Sequence, residues 1–112
     1  MGPFNLGTYK YDYIYTDDEH GVPWALDNVQ KLMDKYGQHP ALYAFEPVNE
    51  PWWSSDFDVL KDFYRQARNI VRSVNPNVIF TFHDGFVFNA DMWNDLFADE
   101  DMENVVLDTH FY

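Results

Sequence analysis

The chain has 112 residues, a formal net charge of −12 and no cysteine. The charge argues against nucleic-acid backbones and anionic membranes as partners, since both need a basic face, and the absence of cysteine excludes disulfides. The length suits one small domain or a piece of a larger one, and no apolar run is long enough for a membrane-spanning helix.

Residues 1–22 show little periodicity, carry Asp17-Asp18-Glu19, and read as a loop without a signal-peptide pattern. Tyr11, Tyr13 and Tyr15 alternate there with polar residues and receive no assignment. Pro23 suits a first helical position, and Trp24, Leu26, Val29, Leu32, Met33 and Tyr36 follow at helical spacing up to Gly37. Ala41 to Val48 is an apolar run that predicts a buried strand. Ser54-Ser55-Asp56 offers caps for a second helix, whose stripe runs from Phe57 to Val74 before Asn75-Pro76 stops it. Asn77 to His83, with Val78 to Phe82 at its centre, predicts a second strand. Asp91 to Ala98 predicts a short helix, and Asn104 to Tyr112 a third strand.

Short apolar strands separated by helices are the pattern of a parallel sheet with crossover connections, hence the α/β class. The order closes on a strand, and two or three βα units leave an edge or a face uncovered. The expectation is a fragment of a larger barrel or doubly wound sheet.

In parallel α/β architectures ligands bind at the carboxyl ends of the strands. The first strand end carries Asn49 and Glu50, the second His83 and Asp84, the third His110 and Tyr112. All would lie on one side of the sheet. An apolar mouth raises a carboxyl pKa toward the working range of a proton donor, so Glu50 is the candidate catalytic group. His83 is equally readable as a strand terminator, and Asp84-Gly85 is a turn dipeptide that favours a structural Asp84. His110 and Tyr112, two residues apart, share a strand face and can orient a substrate or a carboxylate. Glu46, if buried, needs a partner and reads as support for the site. Trp52 and Trp53 either cover the rim or stack on sugar rings. Aromatic residues make up 20% of the chain, and many fall in loop-like stretches, which suits flat sugar faces better than ions.

His83 and His110 with Asp84 or Asp108 leave a metal-dependent hydrolase open, but neither an H-E-x-x-H nor a compact H-x-H spacing occurs. The absence of a G-x-G-x-x-G or Walker loop argues against a nucleotide cofactor, and the absence of G-x-S-x-G against an esterase elbow.

The stretch from Gly37 through His39-Pro40, Ala41 to Phe45, and Glu46-Pro47-Val48-Asn49-Glu50-Pro51 resembles the fourth barrel strand of glycoside hydrolase family 5. Phe82-His83-Asp84-Gly85-Phe86 resembles the fifth-strand end of that family's exo-β-1,3-glucanase branch. Asn104 to Tyr112, with its final His-x-Tyr, resembles the sixth strand. The resemblance implies that residues 1–112 are part of one (β/α)8 TIM-barrel catalytic domain, about the third helix through the sixth strand. It implies retaining cleavage of β-glucosidic bonds in a polysaccharide such as β-1,3-glucan, or in an oligosaccharide, with no metal or other cofactor, in an extracellular protein. By it Glu50 is the general acid/base and Asn49 binds the sugar 2-hydroxyl. His110 and Tyr112 hold substrate and nucleophile, and His83 and Asp84 border the cleft. Retention needs a second carboxylate about 5–5.5 Å from the acid/base. The family carries it on the seventh strand, outside the matched segment, so the 112-residue chain alone is expected to be inactive. The competing expectations are a non-catalytic carbohydrate-binding barrel fragment and the metal-dependent barrel hydrolase.

Overall fold

A computed structural model describes residues 21–98 and 101–112. The loop expected over the first twenty residues, with its three tyrosines, lies outside the described residues. The elements in chain order are helix α1 (Gly21–Tyr36), strand β1 (Ala44–Phe45), helix α2 (Phe57–Val74), strand β2 (Ile79–His83), a 3₁₀ turn (Ala90–Trp93) and strand β3 (Val105–Asp108). The strands form one parallel sheet in the order β1-β2-β3. Phe45 pairs with Phe80, Phe80 with Val105, and His83 with Asp108.

The α2 helix is held at both ends by its sequence. Asp56 Oδ1 accepts from the backbone N–H of Asp58 at 3.0 Å and of Val59 at 3.2 Å, so of the expected caps Asp56 does the capping. Asn75, extended and before Pro76, ends the helix. Leu60, Phe63, Tyr64, Ala67 and Val71 recur at 3–4 spacing and are fully buried. Each large apolar side chain so buried contributes about 1.5–3 kcal/mol. Opposite them stand Phe80 and Phe82 of β2, with Trp93, Leu96 and Phe97 closing the cluster. The rings meet tilted or edge-on: Tyr64 with Phe82 at 5.4 Å, Phe82 with Trp93 at 5.4 Å and Phe80 with Phe97 at 6.0 Å.

Helix α1 begins at Gly21, two residues before the expected start, with Pro23 still in the first turn where its missing N–H costs nothing. It packs on α2 through Val29 and Met33 and stops at Gly37. A Cβ on Gly37 would stand 2.5 Å from Val74 Cγ1 and 2.5 Å from Met33 O, so only glycine fits between the two helix ends.

Three expected elements are shorter or different. The buried strand over 41–48 is two residues of half-exposed edge, because β1 has one neighbour among the described residues and Pro47 lacks a donor to extend the ladder. The helix expected over 91–98 is a 3₁₀ turn followed by bonded turns. Asn94 N–H bonds Asp91 O and Leu96 N–H bonds Trp93 O, both three residues back. That tighter winding puts Trp93, Leu96 and Phe97 together on β2. The third strand ends at Asp108, so His110 and Tyr112 follow it outside the strand. No helix among the described residues is long and apolar enough to cross a membrane.

Candidate active site

The ends of β1, β2 and β3 converge at one edge of the sheet. Glu50 follows β1 at a backbone φ of 52°, a left-handed conformation that costs a non-glycine residue about 1–3 kcal/mol. Phe86 and Phe88, in the loop after β2, share it at φ 61° and 54°. Three such residues in two adjacent rim loops mark a place where the surrounding structure holds backbone against its preference.

Glu50 and His110 meet here: Nδ1 of the imidazole lies 2.6 Å from Glu50 Oε1. The Tyr112 hydroxyl donates to the same oxygen. On the far side of the ring, His110 Nε2 lies 2.9 Å from Asp108 Oδ2. The four groups form a continuous chain from a strand end to the solvent-facing rim, and Tyr112 is 98% exposed.

The electrostatics follow from those bonds. Glu50 is pulled below its ordinary carboxyl value, first by the Tyr112 hydroxyl and then by His110. This reverses the expectation of a carboxyl raised by an apolar mouth. The donors that reverse it arrive from 60 and 62 residues downstream. His110 is pushed above its ordinary value, first by the bond to Glu50, with the Asp108 carboxylate adding to it. Both shifts favour the pair of carboxylate and imidazolium.

His83 lies beneath, fully buried, its ring 4.6 Å from that of His110 and nearly perpendicular to it. Its Nδ1 accepts the Gly85 N–H at 3.0 Å. Burial holds its pKa below the ordinary histidine value, so the ring is neutral with the proton on Nε2. Among the described residues that nitrogen has no hydrogen-bond partner. Tyr64, from the middle of α2, donates to the His83 carbonyl at 3.0 Å and ties the strand end to the core.

Asp84 is buried with its carboxylate occupied. Oδ1 accepts the Phe86 N–H at 2.9 Å; Oδ2 accepts the Phe88 N–H at 3.2 Å and the Thr109 hydroxyl at 2.8 Å. It shapes the rim loop and fastens it to the segment after β3. Gly85 makes the turn at φ 65°, and a Cβ there would stand 2.8 Å from the Phe57 ring.

Asn49 is exposed next to Glu50. Trp52 and Trp53 stand on the same rim with ring centroids 6.3 Å apart. Trp52 meets Phe86 at 6.2 Å, Phe86 meets Tyr112 at 6.4 Å, and Phe88 stacks on Phe111 at 5.2 Å. The rings form a belt beside the carboxylate.

Glu46 departs from its expected pairing. Its Oε1 is buried with no partner among the described residues. Burial, then the Asp108 and Glu50 charges, push its carboxyl up. It lines a cavity of about 270 Å³ between β1 and α1, with Trp24, Val29 and Leu32 on the helix side. Among the described residues no three His, Asp or Glu side chains form a group able to hold a metal ion.

The residue that sequence reasoning passed over is Asp108. It was readable only as a conceivable metal ligand, yet it bonds His110. Its signal was the i, i+2 spacing with His110, which puts two side chains on one side of extended chain.

No protein-family model matches the chain. Curated relatives do match. A protein named "Probable glucan 1,3-beta-glucosidase A" from Aspergillus terreus is 37% identical over 86 residues, which is 74% of this chain and 20% of the relative. "Glucan 1,3-beta-glucosidase" from Blumeria graminis is 35% identical over 94 residues, 81% of this chain and 22% of the relative. "Glucan 1,3-beta-glucosidase 3" from Schizosaccharomyces pombe is 33% identical over 89 residues, 79% of this chain and 18% of the relative. The chain thus spans about a fifth of the length of the curated relatives it matches.

Proposed function

We propose that this chain is the central part of a retaining glycosidase of family 5 type that acts on β-1,3-glucan outside the cell. In this reading the three described strands are consecutive staves of a (β/α)8 barrel, and residues 1–112 belong to its single catalytic domain. The observation that carries the proposal is the meeting of Glu50 with His110 and Tyr112 across the strand ends. A carboxyl group that must give a proton and later take one back needs neighbours that set its charge, and this one has two. The similarity to glucan 1,3-beta-glucosidases over 74–81% of the chain supports the substrate class.

Glu50 is the proton donor to the leaving sugar oxygen and then the base that activates water. Asn49 faces the sugar 2-hydroxyl. Trp52 and the Phe86 ring give the sugar's apolar face a flat surface, while buried His83 and Asp84 hold the cleft wall from behind. The second carboxylate of the retaining reaction comes from a part of the parent protein outside these residues.

Hydrolysis of laminarin by the full-length protein tests the assignment. Glu50→Gln should lower kcat by roughly 10²–10⁴-fold, and a variant with unimpaired turnover would remove it. The 112-residue chain by itself should release no reducing sugar.

A further inference from the structure

His110 bonds a carboxylate through each ring nitrogen, Glu50 Oε1 at 2.6 Å and Asp108 Oδ2 at 2.9 Å. A neutral imidazole carries one N–H, and two ionised carboxylates carry none. Two hydrogen bonds need two protons. The chain Asp108–His110–Glu50 therefore holds one proton more than a neutral histidine between two carboxylates. The surroundings leave that proton here. His83, 4.6 Å away, is kept neutral by burial and does not compete for it. The Glu46 carboxyl, on the exit from β1, lies close enough to interact with both His110 and Asp108. Asp84, from the end of β2, is turned to its own loop and Thr109, and Tyr112 donates to Glu50.

Resting on the reading of Glu50 as proton donor, we propose that His110 stores the proton Glu50 delivers, and that Asp108 is the positioning residue that keeps it there. The carboxylate behind the ring fixes its orientation and compensates its charge, as a buried carboxylate does for a catalytic imidazole elsewhere. In the first half-reaction the glycosidic C–O bond breaks and its electron pair goes to the leaving oxygen. Glu50, resting as the carboxylate, takes the Nδ1 proton of His110 on one oxygen as a proton passes from it to that leaving oxygen. The sugar carbon bonds to the parent protein's nucleophilic carboxylate. The imidazole is left neutral, its Nε2–H still on Asp108. Water then attacks the glycosyl ester, frees the carboxylate and returns one proton through Glu50 to Nδ1. In this step His110 and Asp108 act through Glu50.

The test uses the full-length protein with ¹⁵N-labelled histidine. Both His110 nitrogens should show imidazolium shifts up to a pH above the ordinary histidine range. Asp108→Asn should lower the pH at which they lose the proton by ~1 unit, since an adjacent opposite charge is worth about that much or more. The alkaline limb of kcat/KM, each variant scaled to its own maximum, should move down with it; one pH unit above that limb the scaled rate falls about tenfold. Asp108→Glu should return the limb toward the wild-type position. A purely structural Asp108 would lower the whole profile without moving it. An unmoved limb in Asp108→Asn, or one unprotonated His110 nitrogen at pH 6 in the wild type, overturns the proposal even if Glu50→Gln is inactive. An active Glu50→Gln removes the underlying reading instead.

Discussion

Glu50 and His110, 60 residues apart in sequence, are joined at 2.6 Å across the ends of β1 and β3. The contact is an ion pair that ties the chain after β1 to the chain after β3 at the rim without passing through β2. Its partners shift each other in opposite directions, which gives the site a pH signature.

Glu50 lies below its ordinary 4.5, so its share of stability is full above 4.5 and is lost as pH falls through its folded value. His110 lies above its ordinary 6.5, so its share is full below 6.5 and is lost as pH rises through its folded value. The coupling between Glu50→Gln and His110→Gln, from urea midpoints in a double-mutant cycle, should therefore peak between pH 4.5 and 6.5. It should decline on both sides and weaken with salt, since both groups are partly exposed. A coupling flat across this range would mean that the pair is not ionised as argued.

Arg72 works at the opposite end of the sheet. Its guanidinium donates to Val78 O at 2.5 Å, to Glu103 O and Asn104 O at 2.8 Å each, and to Pro76 O at 3.4 Å. One side chain at the end of α2 thereby fixes the starts of β2 and β3. Arg72→Ala should cost about 2–3 kcal/mol in urea unfolding, because several carbonyls lose a charged donor. Arg72→Lys should recover less than half of it, since an ammonium cannot reproduce the planar fork. Full recovery by lysine would show that charge alone matters there.

The polar strand ends were legible because apolar runs give way to Asn49-Glu50, His83-Asp84 and His110-x-Tyr112, and parallel α/β topology gathers such ends on one side. The sign of the Glu50 shift was not legible. It depends on which donors the third strand delivers, and nothing local to residues 41–51 encodes that. Strand lengths failed for a related reason: an apolar run reports what is to be covered, whereas pairing reports the neighbours present. Among the described residues Ala41 to Val48 has one neighbouring strand, so its apolar residues stay half-exposed and only Ala44 and Phe45 pair there. Asp108 was missed because its role is a relation to His110, which sequence alone shows only as spacing.

The Tyr64 hydroxyl links the core to the site. Tyr64→Phe keeps the ring among Phe63, Phe82 and Trp93 but removes the donor to the His83 carbonyl. Leaving that buried acceptor without its donor should cost about 1–2 kcal/mol. The His83 ring, no longer pinned through its backbone, should show a changed imidazole ¹⁵N shift. Loss of stability without any change at His83 would confine the hydroxyl to a packing role.

Glu46 provides a prediction of opposite sign to most substitutions. Its carboxyl is raised above the ordinary 4.5, first by burial and then by the Asp108 and Glu50 charges. The fold thus prefers it protonated. That preference stabilises below pH 4.5 and is lost as pH rises through the folded value, beyond which a partnerless carboxylate oxygen sits against Asp108 and Glu50. Glu46→Gln cannot ionise and keeps nearly the same shape. It should match the wild type below pH 4.5 and exceed it at neutral pH, with the urea midpoint as the measurement. If the glutamine variant is instead the less stable at neutral pH, the carboxylate has a favourable partner and the unpaired charge behind the site is not the right description of it.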